Sequence, residues 1–174
     1  MNRVTSALDE WSAPDPGQEL LRQDFLAHAR TYELPDDRDC LPDHVTASAL
    51  VVSSTDYAVL LCWHRKVDLW LQFGGHVERG DASLADAALR EAHEESGLLD
   101  LTLRSPLPTR LDRHGAPCSA KARHHLDVQF TAVVAGQPTP TVSEESYDVR
   151  WFPANQLPDL TDDAVRTLVA ASLS

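Results

Sequence analysis

Apolar and polar positions along this chain fall into short blocks, and the spacing inside each block predicts its element. Leu21, Phe25 and Ala29 recur at helical intervals through QELLRQDFLAHAR, with Asp15 placed to cap the helix and Pro16 at its first position. The prolines and aspartates of ELPDDRDCLPDH mark a loop. VTASALVVS and YAVLLCWHR are β-branched and apolar runs separated by polar Ser53 to Asp56, which predicts neighbouring strands. LWLQF reads as a third strand that ends at Gly74-Gly75. A helix is expected from about Ser83 to Gly97, then two strands in LTLRSPL and HHLDVQFTAVV. The segment between those strands, TRLDRHGAPCSAKAR, is polar and long enough to be a functional loop. VRWF is a last extended piece, and from Thr161 onward DDAVRTLVAASL has helical spacing behind a capping residue. Strands and helices interleave irregularly, so the expected class is α/β, a mixed sheet with helices on both faces. Residues 1–40 are expected to form a helical appendage that packs on the domain 41–174 by a thin stripe.

Composition narrows the functional classes. A chain of 174 residues has the length of one domain. It contains no apolar run near the roughly 20 residues that cross a bilayer, so no membrane association is expected. MNRVTSALDEWSAPDPG is interrupted by Asp9, Glu10, Pro14, Asp15 and Pro16 and lacks the apolar centre of a secretory signal, which makes the expected location cytoplasmic. Cys40, Cys62 and Cys118 are odd in number and widely spaced, and they read as free thiols. A net charge of -12 repels phosphate backbones and argues against bulk nucleic-acid binding. Small phosphorylated molecules remain accessible if a divalent cation stands between them and the protein's carboxylates.

The helix before Gly97 conflicts with its own local physics. Ser83 and Asp86 form a capping-box pattern, and Leu84, Ala85, Ala87, Ala88, Leu89 and Ala92 are strong helix formers small enough to lie close against a sheet. Gly97 suits the left-handed position that ends a helix, with Leu98 as the hydrophobic contact after it. At about 100° per residue, Glu91, Glu94 and Glu95 share one face roughly 100° wide. Like charges at such spacings each cost about 0.2–0.5 kcal/mol, and the last two also sit at the negative end of the helix dipole. Arg90 can bridge to Glu94, but one guanidinium does not neutralise three carboxylates. A solvated acidic face is the bland reading. A hard divalent cation bound by these oxygens would remove the conflict. The turn ahead of the helix favours the second reading, because at Gly74-Gly75 a missing Cβ lets backbone approach a ligand closely.

The stretch GGHVERGDASLADAALREAHEESGL resembles the box of the Nudix hydrolase family, Gly-x5-Glu-x7-Arg-Glu-U-x-Glu-Glu-x-Gly-U with U aliphatic. Gly75, Arg90, Glu91, Glu94, Glu95, Gly97 and Leu98 match it, with Ala92 a small version of the inner aliphatic residue. Five fixed identities in its second half should coincide by chance on the order of once in a million windows. Asp81 stands where the family has its first Glu, and one extra residue separates it from Arg90, so no direct role at the metal is assigned to it. The resemblance implies the Nudix α/β/α sandwich and metal-dependent cleavage, with Mg²⁺ or Mn²⁺, of a nucleoside diphosphate linked to another moiety.

On that resemblance Glu91 and Glu95 are the principal metal ligands, helped by Glu94 and the carbonyl of Gly75, while Arg90 holds the glutamates. The catalytic base comes from the same cluster or from Glu144 or Glu145, in TVSEESYD. Strand alternation puts His125, Asp127 and Gln129 on one face, and with Asp112, His114 and His124 nearby these read as substrate contacts or exposed surface rather than a zinc centre. His76, Gln72 and Trp70 complete the substrate candidates; Trp70 can stack on a base or fill the core. Two other classes stay open. An isomerase acting on prenyl diphosphates would need a reactive cysteine such as Cys62 or Cys118, and a nucleotide sensor would bind without turnover. The N-terminal helix can pack on its own domain or on a second copy of the chain, as a homodimer.

Overall fold

Both faces of one central strand are covered, and that sets the layer order. In the computed structural model, which describes residues 2–116 and 122–174, the chain begins with α1 (Arg3–Asp9), α2 (Pro16–Thr31) and the long strand β1 (Asp43–Ser53). Then come β2 (Ala58–His64), β3 (Leu69–Leu71), β4 (Phe73–His76) and α3 (Leu84–Ser96). The remainder is β5 (Thr102–Leu103), β6 (Arg110–Gly115), β7 (His124–Val134), β8 (Ser146–Pro153) and α4 (Asp163–Ser172).

β1 and β7 run parallel at the middle of a mixed sheet, paired from Asp43↔His124 to Ser53↔Val134. β1 pairs antiparallel with β4 near its start and with β2 near its end, while β7 carries β6 and β5 on its other side. β8 pairs with β2. Alternation divides the side chains of β1. Val45, Ala47, Ala49 and Val51 face a core built with α1, α2 and α3, and Leu50 and Val52 face a smaller core under α4. Helices therefore cover both faces, which is why β1 reads as a continuous apolar run after its first residues. His44, Thr46 and Ser48 belong to the α4-side face but lie beyond its apolar patch, and they are buried nonetheless.

The expected α/β sandwich is what forms, with local corrections. The expected strand LWLQF is two strands: Leu71 pairs with Cys62 of β2, and Phe73 pairs with Ala49 of β1, so the chain changes neighbours at Gln72. The predicted loop TRLDRHGAPCSAKAR begins with β6, held by backbone pairing along β7 from Arg110↔Gln129 to Gly115↔His124. Its side chains gave no strand signal because only Leu111 is buried. Cys118 lies outside the described residues. In LTLRSPL only Thr102 and Leu103 form a strand.

The N-terminal segment is more deeply embedded than a thin stripe. α1, whose seven residues are capped by Asn2, was not expected at all. Its Val4 and Leu8 join Phe25, Leu26 and Ala29 of α2 in the same core as α3 and the sheet. Each fully buried large side chain of this kind contributes roughly 1.5–3 kcal/mol. No helix among the described residues is long and apolar enough to cross a membrane.

Candidate active site

α3 forms as its sequence specifies. The Ser83 hydroxyl accepts from the Asp86 amide at 3.1 Å and donates to the Asp86 carboxylate at 2.8 Å, a reciprocal cap. Gly97 ends the helix at φ 68°, its N–H donating to the His93 carbonyl. Ala87, Ala88 and Ala92 are fully buried, so the helix lies close on the sheet and brings its glutamate face against β4. A Cβ on Gly75 would stand 2.7 Å from Oε1 of Glu91, so only glycine lets this carboxylate reach the strand. A Cβ on Gly74 would strike Ser48 on the opposite side, at 2.4 Å from its Cβ.

Arg90 organises the cluster with all five of its N–H donors. Nε and Nη2 donate to the two carboxylate oxygens of Asp81, each at 3.0 Å. Nη1 donates to Glu91 at 3.0 Å and to Glu94 at 3.1 Å, and Nη2 also donates to the His76 carbonyl at 3.1 Å. Asp81 thus stands apart from the glutamates and secures the guanidinium. Burial opposes its ionisation, but bonds from Arg90 and from the Glu78 amide outweigh that and hold it below the ordinary carboxylate range.

The glutamates differ in setting. Glu94 is largely exposed. Glu95 is only 7% exposed. Burial, reinforced by the charges of Glu91 and Glu145, pushes the Glu95 carboxyl up to about 8. Burial also raises Glu91, against the pull of Arg90. Glu145, in the turn before β8, acts electrostatically on both, and its carbonyl accepts from the Arg65 amide at 3.0 Å. Glu144 is exposed in the same turn. A buried carboxyl and a half-buried one that repel each other, with one arginine already shared among four partners, are suited to hold a hard dication.

The opposite face of β4 is also polar. Asp127, 3% exposed, accepts from Thr46 at 3.0 Å, Ser48 at 2.6 Å, Gln129 at 3.2 Å and Gln72 at 3.5 Å. His125 and His76 lie beside this network together with His44, which the sequence reading had not singled out. A signal was present: His44, Thr46 and Ser48 are polar residues at every second position of an otherwise apolar strand, as are His125, Asp127 and Gln129. Burial pushes His125 down to about 3 and His76 to about 4, so both rings are neutral near pH 7. His114 bonds to Asp112 at 2.8 Å, and His124 to Asp43 at 3.0 Å. Trp70 is not brought to these groups. It is 7% exposed in the α4-side core, with the Phe152 ring 4.8 Å away and the Arg150 guanidinium over its ring at 6.0 Å.

An open pocket of about 250 Å³ adjoins the polar face, with Arg110, Asp112, Gln129 and Asp163 among its walls. A larger hollow of about 460 Å³ lies between α1 and α2, away from the carboxylates.

The family model of the NUDIX domain matches residues 42–171. The fold is similar to that of a Nudix-family hydrolase from Clostridium perfringens, at 24% identity and TM-score 0.60 over 75% of this chain and 94% of that one. It is also similar to the E. coli dihydroneopterin triphosphate pyrophosphohydrolase, at 19% identity and TM-score 0.59 over 72% and 91% of the two chains. A third likeness is to a C. elegans Ap4A hydrolase, at 17% identity and TM-score 0.59 over 73% and 93%. Among curated proteins none matches. With the family model spanning the sheet, α3 and α4, the chain belongs to the Nudix family.

Proposed function

We propose that the chain is a metal-dependent hydrolase that cleaves the phosphoanhydride of a nucleoside diphosphate linked to another moiety. The observation that carries this reading is the approach of Glu91 to Gly75 beside buried Glu95, with Arg90 fixed by Asp81 alongside. Glu91 and Glu95 would hold the cation, with Glu94 and the Gly75 carbonyl in support. Mg²⁺ or Mn²⁺ bound there supplies charge neutralisation on the phosphoryl oxygens and a template for the attacking water.

The protein's own groups do the rest. Arg90 bonds to Glu91, which stands against the strand, and to Glu94, and is a positioning residue. In the hydrolysis a water oxygen forms a new bond to phosphorus as the bridging P–O bond breaks, and the water's proton passes to a carboxylate. Glu145 is the better placed of the two loop glutamates to receive it, because its charge is felt at both Glu91 and Glu95. On the other face of β4, Gln72, His76, His125 and Asp127 offer donors and acceptors to the substrate's remaining polar groups.

Of the two cysteines that the isomerase reading would draw on, Cys118 lies outside the described residues and Cys62 is ill suited. Its thiol is fully buried, and burial together with the charge of Glu95 pushes it up to about 12, so it stays protonated and unreactive.

A turnover screen tests the proposal. Nucleoside triphosphates, nucleotide sugars, ADP-ribose, dinucleoside polyphosphates, NADH and dihydroneopterin triphosphate are supplied with Mg²⁺ or Mn²⁺, and products are identified by mass. Cleavage within a phosphoanhydride that Glu95→Gln abolishes while remaining folded supports it. Tight nucleotide binding with no turnover under either metal would mark a sensor instead.

A further inference from the structure

We propose that His44, His76 and His125 form a second metal site, separate from the glutamates of α3, that takes a transition-metal dication of the zinc class. The three imidazoles come from three strands and meet only because of sheet register. His44 stands beside His125 in the parallel β1–β7 pairing, and His76 arrives from β4 opposite Thr46. Ring centroids lie 5.0 Å apart for His44 and His76, 4.8 Å for His44 and His125, and 5.5 Å for His76 and His125. One ligand nitrogen from each ring falls within 4.8 Å of the others.

Tetrahedral zinc with Zn–N bonds of about 2.0–2.1 Å requires nitrogens roughly 3.3 Å apart. Nε2 of His44 and Nε2 of His76 already approach to 3.1 Å. Two N–H groups cannot face each other at that distance, so at least one of these nitrogens presents a lone pair to the cluster. To bind the ion, the half-buried His76 and His125 rings would have to turn about their side-chain bonds and draw nitrogens now within 4.8 Å of one another closer. His44 is 1% exposed, and desolvating a ring among other rings is costly unless something inside the cluster compensates it.

The donor chemistry selects the ion. Three neutral nitrogens suit zinc, cobalt, nickel or copper and suit magnesium poorly, whereas the α3 glutamates offer only hard oxygens. The two sites are therefore chemically distinct although one strand serves both. Gly75 faces Glu91 on one side of β4, and His76 faces His44 on the other. Three protein ligands leave a further position to water or to a substrate oxygen. A metal here would tie β4 to β1 and β7 directly behind Gly75.

The test uses the full chain without a histidine tag, stripped by a chelator and titrated with Co²⁺ alone. One equivalent is expected to give a visible d–d absorption of an imidazole-bound ion, displaced by Zn²⁺ and insensitive to excess Mg²⁺. His76→Ala and His125→Ala, whose side chains are only half-buried, should weaken binding at least tenfold with circular dichroism unchanged. The Glu91→Gln/Glu95→Gln double variant should keep the band. In the unaltered protein, Zn²⁺ should shift the ring NMR signals of these three histidines together. No band at one equivalent, a band retained in both histidine variants, or a band lost in the glutamate double variant would overturn the site. None of those results bears on hydrolysis, which the turnover screen addresses separately.

Discussion

Asp81 and Arg90 are joined by two parallel hydrogen bonds of 3.0 Å, so Asp81 buttresses the arginine. The fork geometry requires a planar guanidinium, and the same group also reaches Glu91, Glu94 and the His76 carbonyl. Arg90→Lys keeps the charge but offers three donors without the fork. Its turnover and Mn²⁺ affinity should fall about 10–100-fold, the usual effect of losing a group that orients metal ligands. Asp81→Asn should lose less, about 10-fold, because one amide oxygen can still accept from Arg90. Steady-state kinetics with an Mn²⁺ titration check this, and turnover within twofold of the original in Arg90→Lys refutes the positioning role.

Glu95 carries a stability signature in the metal-free protein. Burial and neighbouring charges raise its carboxyl from 4.5 to about 8. The folded state therefore binds this proton more tightly than the unfolded state does. The associated stability is fully present below 4.5 and is lost as pH rises through about 8, a change on the order of a few kcal/mol. Glu91 adds to the slope with the same sign. Asp81, shifted downward, acts only at lower pH. Below about 6.5 the lowered His76 and His125 act with the opposite sign, so melting in a chelator should show Tm falling between about pH 7 and pH 8. Glu95→Gln should flatten that fall, and Mn²⁺ should raise Tm more at the higher pH. A metal-free Tm that climbs steadily across this window would mean that the carboxyl is solvated.

The carboxylate site was legible because its parts are local. Arg90, Glu91, Glu94 and Glu95 lie within two turns of one helix, and periodicity alone places them on a common face. Gly75 was singled out for the close approach a missing Cβ allows, and the group that approaches it is the Glu91 carboxylate. The histidine cluster was not legible as a cluster. Alternation shows which side of a strand a residue takes, but the register that sets His44 beside His125 depends on how distant strands align. The bond from Asp81 to Arg90 depends on the path of a loop with one extra residue, which spacing could flag as displaced without saying where it goes. α1 is too short to show a period, and β6 is held by backbone bonds beneath polar side chains.

Besides the core it shares with the sheet, α2 is joined to β6 through a buried side chain, and that gives a test of whether residues 1–40 can be regarded as separable. Gln18 is 3% exposed. Its amide Nε2 donates to the Leu111 carbonyl at 3.0 Å, and its Oε1 accepts from the Leu111 amide at 2.7 Å. α2 thereby satisfies both backbone groups of a β6 residue whose side chain faces the core. Gln18→Ala leaves a buried donor and a buried acceptor unpaired, each costing about 1–3 kcal/mol. Unfolding in urea should show a loss of about 2–6 kcal/mol in a single transition. Gln18→Glu should also be destabilised, since it retains an acceptor for the Leu111 amide but gives its carbonyl no donor. A loss below about 0.5 kcal/mol, or an early separate transition for the helices, would mean that this segment rides on the domain as an appendage after all.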